Sequence, residues 1–130
     1  MAERMIDTVG GEMGLRQLVE TFYDLVEILP EGETLRKLHL RGHGLAHVRT
    51  EQFNFLSGFF GGRRYYAEKH GHMDLRRMHA HIPISAQDAE DWLTCMDHAL
   101  HDNGLAGLEI DRLRSIFRRV CLMLVNDLAE

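Results

Sequence analysis

Nine histidines stand in the 130 residues, and an imidazole can ligate a metal, relay a proton or change charge near neutral pH. Spacing decides which of these each one can do. His39, His43 and His47 recur every four residues, so an unbroken helix would line them on one face, where they could chelate zinc or nickel. Gly42 and Gly44 fall inside that span and favour a loop. His70 and His72 flank Gly71 in a turn and read as solvated. His98 and His101 stand near the end of a helical stretch, where protonated imidazoles complement the negative pole of the helix. For each of these the plain reading, a surface or hydrogen-bonded polar group, outweighs the chemical one.

His79 differs. It closes a short basic segment, Leu75-Arg76-Arg77-Met78-His79, and the apolar run Ile82-Pro83-Ile84 follows at once. An imidazole clamped between apolar segments and flanked by arginines suits a bulky apolar ligand with negative groups at its edge. Haem is such a ligand: its iron takes a histidine and its propionates take arginine or tyrosine. His81 is the weaker candidate, because extended backbone there points it elsewhere. Cys95 and Cys121 are far apart with no CxxC, and in a reducing compartment they are expected to be reduced and buried.

These side chains need helices to position them. Leu15, Leu18, Val19, Phe22, Leu25, Val26 and Leu29 recur at steps of three and four and predict a helix over 11–29, ended by Pro30 and Gly32. A short turn is expected over 33–38. Helix resumes over 46–60 until Gly61-Gly62 stops it. Short helices are expected over 63–69 and 74–79, and Pro83 forces Ile82 into extended backbone. Ser85 with Asp88 three residues on reads as an N-cap for a helix over 86–101, which Asn103-Gly104 ends. A last helix is expected over 108–128. No strand alternation, internal repeat or linker appears. The expectation is one all-α domain with four main helices and several short ones.

Composition bounds the function. A chain of this length fits one domain, with enough core to enclose a ligand. The net charge of −5 argues against a sequence-blind grip on nucleic acid or an anionic membrane. No apolar run approaches the length of a membrane span, and the start lacks the apolar stretch of a signal peptide, so a cytoplasmic protein is expected.

The motifs, taken in order, resemble the group II (O-type) truncated haemoglobins, the small two-on-two globins of bacteria and plants. Gly10-Gly11-Glu12 opens the first long helix, and Phe22-Tyr23 resembles the family's distal Phe-Tyr pair. Phe55-Leu56-Ser57-Gly58-Phe59-Phe60-Gly61-Gly62 resembles the end of its distal helix. Tyr66, Gly71-His72, Leu75-Arg76 and His79 resemble the approach to the proximal histidine. Asp91-Trp92-Leu93-Thr94-Cys95-Met96 resembles the tryptophan-bearing segment that marks the group. The likeness runs from about Thr8 to Asp127. Departures are Arg63 and Met73 where proline is common, Met78 where arginine is common, and a loop before the distal helix a few residues longer than usual.

The resemblance implies a truncated globin-like two-on-two helical sandwich around haem b. His79 would be the proximal ligand, with Tyr23 over the iron on the opposite side. Trp92, thirteen residues after His79, would offer its indole N–H to a bound ligand. Gln52 would take the distal-helix position that carries leucine or glutamine, Val48 the gate position, and His39 the corner usually held by an aromatic residue. Arg76, with Arg77 and Tyr66, would meet the propionates, and Phe55, Met78 and Ile84 would complete the surroundings. Tyr23, Trp92, Gln52 and His39 would supply hydrogen-bond donors to oxygen or another small haem ligand such as nitric oxide, cyanide or sulfide. So firm a grip suits capture or redox chemistry more than bulk transport. His39 or His47 over the iron would make the ligand-free protein six-coordinate. An alternative is a haem enzyme, peroxidase-like or nitric oxide detoxifying, fed by an external reductase because the chain carries no flavin or nicotinamide motif. The outsider is a histidine-rich metal-binding module without haem. Monomer and homodimer are both open.

Overall fold

Steps of three and four between apolar residues become a dry helix face. The computed structural model describes residues 4–33, 35–36, 45–79 and 84–126, with the backbone alone for Leu45 and Met78. Helix α1 spans Met5–Thr8 and α2 spans Gly11–Ile28. Leu15, Leu18, Val19, Phe22 and Val26 on α2 are fully enclosed. A 3-10 turn at Pro30–Gly32 ends the run, and Arg36 donates to the carbonyls of Val26 and Leu29. Those are end-of-helix carbonyls that have no partner within the helix.

Helix α3 spans Leu45–Phe59. Gly61, at φ +88°, turns the chain away in a conformation that other residues rarely adopt. The turn also anchors α1: Ile6 N donates to Phe60 O at 2.9 Å, and Arg4 Nη1 donates to Gly61 O at 3.0 Å. At the α1–α2 corner, a side chain on Gly14 would stand 2.0 Å from Val9 O, so only glycine fits.

Two short helices follow, α4 at Tyr65–His70 and α5 at Leu75–Met78. Isolated helices this short are unstable, and side chains fix both. Asp74 caps α5 by accepting from Arg77 N at 3.2 Å. Glu51 of α3 accepts from Lys69 Nζ at 2.8 Å and pairs with His70 Nε2 at 2.6 Å. His70 is therefore bound to α3 rather than merely solvated, and His72 Nδ1 accepts from Asp74 N at 3.1 Å.

Helix α6 spans Ala86–Asp102 and opens with a complete capping box between Ser85 and Asp88. Helix α7 spans Leu108–Met123, shorter than the apolar pattern predicts. Asn126 explains the early stop. Its N–H donates to Ile84 O at 2.9 Å and its Oδ1 accepts from Ile84 N at 3.3 Å, which draws the backbone out of the helix.

The long helices pack as two pairs, α2 with α3 and α6 with α7, and α2 also rests on α6. This is the two-on-two sandwich. Rings bridge the pairs, Phe22 to Trp92 at 5.2 Å and Phe59 to Phe117 at 6.3 Å, and Trp92 meets Phe117 at 5.3 Å within the second pair. Among the described residues no helix is long and apolar enough to cross a membrane.

Candidate functional site

The turn at 75–79 holds the predicted iron ligand. His79 follows α5 as its C-cap, half-buried. Its Nδ1 lies 2.7 Å from Leu75 O. A carbonyl can only accept, so Nδ1 carries a proton, and in the neutral imidazole Nε2 keeps its lone pair. Nε2 has no partner among the described residues. A metal-ligating imidazole is held in the same way, by a second hydrogen bond that fixes its tautomer and aim.

The same turn walls a cavity of about 600 Å³, completed by Phe55 and Phe59 of α3 and by Val120 and Met123 of α7, with residues 73–76 forming the remaining side. That volume lies within the range of about 300–1,000 Å³ usual for small-molecule sites. The wall is mostly apolar. Its charged residues are Asp74 and Arg76, both exposed.

A buried polar pair lies on the α2–α3 seam, outside the cavity lining. Tyr23 is 2% exposed, and its Oη lies 3.4 Å from Gln52 Oε1, a long hydrogen bond. Burial pushes the Tyr23 phenol well above its ordinary range, with the Arg49 guanidinium opposing only in part. Tyr23 therefore remains an O–H donor. Phe22 meets its ring edge-on at 4.8 Å. Trp92 is half-buried, and its indole N–H has no acceptor among the described residues. The ring contacts run on from Tyr23 through Phe22, Trp92, Phe117 and Phe59 to Phe55, where Phe59 and Phe55 stand 5.8 Å apart on the cavity wall. One aromatic seam thus joins the polar group to the cavity.

The remaining predicted residues divide. Val48 packs half-buried against the core. Tyr66 lies edge-on to Phe55 at 5.7 Å and 4.3 Å from the His70 ring. Ile84 is half-buried and engaged with Asn126. His47 is exposed on the first turn of α3. His39 and His43 lie outside the described residues, as does the side chain of Met78. Among the described residues no group of three or more His, Cys, Asp or Glu side chains comes together to hold a metal ion. Both cysteines are free, and burial pushes each thiol up to about 11, so neither is an activated nucleophile. Sequence reasoning placed Phe55 and Arg76 at the site but missed the other cavity residues, Met73, Asp74 and Leu75 before Arg76 and Phe59, Val120 and Met123 on the long helices. The last three read only as helix apolar positions, which core and pocket wall share.

A family model of bacterial-like globins matches residues 4–126. The Group 2 truncated hemoglobin YjbI of Bacillus subtilis is 38% identical over 97 residues, which are 75% of this chain and 70% of that protein. The cold-adapted truncated hemoglobin of the Antarctic marine bacterium Pseudoalteromonas haloplanktis superposes with a TM-score of 0.89 at 27% identity, covering 96% of this chain and 99% of that one. A truncated oxygen-avid haemoglobin from Bacillus subtilis gives a TM-score of 0.82 at 31% identity, over 95% and 100% of the two chains. The chain belongs to the bacterial-like globins, and within them it is a group II truncated haemoglobin.

The family implies haem iron as cofactor, and the residues present fit it. An imidazole whose Nε2 has no partner among the described residues, a mostly apolar cavity walled by Leu75 and Arg76 of the same turn, and an arginine for carboxylates are groups that haem needs.

Proposed function

We propose that this protein captures oxygen at a haem b held by Nε2 of His79. The single observation that carries the reading is the His79 Nδ1 to Leu75 O contact of 2.7 Å, which in the neutral imidazole leaves the Nε2 lone pair to ligate. Likeness to an oxygen-avid haemoglobin at 31% identity supports oxygen as the ligand. When bound, haem would supply reversible binding of a diatomic molecule.

The chain's own residues do the rest. Arg76, with Arg77 and Tyr66, would hold the propionates. Phe55, Ile84 and Val48 shield the site from water. Tyr23 O–H and Trp92 N–H would donate to the bound ligand, and Gln52 would hold the Tyr23 hydroxyl in place. Each such bond in a dry pocket contributes on the order of 1–3 kcal/mol, and each 1.4 kcal/mol is about tenfold in lifetime. Release is then slow, which favours capture over delivery. A peroxidase needs a distal acid–base group that titrates near working pH. Tyr23, raised by burial, is not one, and His39 lies outside the described residues; the likeness to the oxygen-avid haemoglobin supports oxygen capture ahead of peroxidase chemistry. In this reading the chain acts as one domain in the cytoplasm and draws electrons from a separate reductase.

The oxygen release rate, measured by stopped flow, tests the assignment. Tyr23→Phe and Trp92→Phe should each release oxygen about tenfold faster than the parent or more. Equal rates in all three would overturn the roles of these donors.

A further inference from the structure

Besides the Tyr23–Gln52 pair, another polar side chain bridges α2 and α3. Arg49 stands beside Val48 and one helical turn before Gln52, and its side chain is only 15% exposed. Nη1 donates to Glu20 O at 3.2 Å and Glu20 Oε2 at 2.9 Å. Nη2 donates to Asp24 Oδ1 at 3.0 Å and Glu27 Oε1 at 3.4 Å. Glu20, Asp24 and Glu27 follow one another at steps of four and three, so they form a stripe along α2. Tyr23 lies on the same two turns. The Arg49 guanidinium carbon is 5.9 Å from the Tyr23 ring centroid, within the reach of about 6 Å for a cation over a ring.

An exposed ion pair contributes little to stability. This arrangement differs: one planar fork, mostly out of water, grips three carboxylates and a backbone carbonyl on the facing helix. Lysine could supply the charge but not two terminal nitrogens aimed at separate partners. The fork spans the seam beside the Tyr23 Oη to Gln52 Oε1 contact of 3.4 Å, which is too long to hold the helices together by itself.

We propose that Arg49 is a positioning residue for the distal pair: its fork sets the α2–α3 spacing at which Tyr23 meets Gln52, and so sets how long a ligand gripped by Tyr23 stays bound. The ligand readout rests on the haem reading above. Arg49 acts through Tyr23 and touches no ligand itself.

The test compares oxygen release from haem-loaded parent, Arg49→Met, Arg49→Lys, Tyr23→Phe and the Tyr23→Phe/Arg49→Met double variant, together with backbone amide hydrogen exchange over 45–52. Arg49→Met should release oxygen about tenfold faster, the effect of losing one hydrogen bond. Arg49→Lys should fall between it and the parent. In the Tyr23→Phe background, Arg49→Met should change release by less than about twofold, since coupled residues are not additive. Amide exchange over 45–52 should quicken in Arg49→Met. If Arg49→Met does not fold, Asp24→Asn/Glu27→Gln removes two partners of the fork and should also speed release. Parent-like release from haem-loaded Arg49→Met, or an undiminished effect in the Tyr23→Phe background, would overturn the proposal alone. A parent chain that takes up no haem would instead overturn the haem reading, and this proposal with it.

Discussion

Tyr23 Oη and Gln52 Oε1 face each other at 3.4 Å across the α2–α3 seam. A phenol has one proton to give, and burial keeps it on Tyr23. Donation to Gln52 therefore competes with donation to a ligand. The glutamine amide can resolve the competition by turning its N–H₂ toward the Tyr23 oxygen, which frees the proton.

The two side chains should therefore act as one unit. Gln52→Leu should speed oxygen release by about tenfold in the parent. In Tyr23→Phe the same change should add much less. Stopped-flow release rates of the two single variants and the double variant measure the coupling, and additive effects would show two independent donors.

The cysteines should be silent in the folded chain. Cys95 is fully enclosed, and burial pushes both thiols up to about 11. The thiolate is the reactive form, so Ellman's reagent at pH 8 should label the native protein slowly and the denatured protein at once. Rapid labelling of two thiols in the native state would contradict the buried environment.

The α3–α4 tie should weaken in acid. Glu51 loses from burial but gains more from Lys69 and His70, and its carboxyl sits below the usual range. A carboxyl with a lowered folded pKa adds stability above its unfolded pKa, and that stability is lost as pH falls through the folded value. Glu51→Gln should cost about 0.5–1 kcal/mol at pH 7, discounted for partial exposure. The gap should close well below pH 4.5. Urea unfolding of both proteins at pH 7 and pH 3.5 gives the comparison, and an equal gap at both would contradict the ion pairs.

The start of α6 should depend on its cap. Ser85 Oγ accepts from Asp88 N at 3.0 Å and Asp88 accepts from Ser85 N at 2.9 Å. Ser85→Ala should cost about 1 kcal/mol, seen as a lower denaturation midpoint at unchanged slope. No loss would show that neighbouring contacts hold the helix start without the cap.

Much of this was legible in the chain. The apolar period of α2 and the Ser85–Asp88 signal depend on neighbours within a few residues, so spacing reveals them. Helix α1 has four residues and no period of its own, and its order comes from Ile6 N on Phe60 O, a contact between distant segments. The stop of α7 also depends on a distant partner, because Asn126 trades its helical place for Ile84. Tyr23 and Trp92 look like core residues by period alone, and family resemblance singled them out. Arg49 carried no local signal, because its partners lie 22 to 29 residues earlier on another helix.

The most direct test of the central claim is a haem titration of the purified chain beside His79→Ala, followed by visible absorption. The parent should saturate at about one haem per chain with a sharp Soret band, and the variant should bind weakly or with an altered spectrum. The same band and stoichiometry in His79→Ala would remove His79 as the ligand, and a parent that binds no haem would contradict the account as a whole.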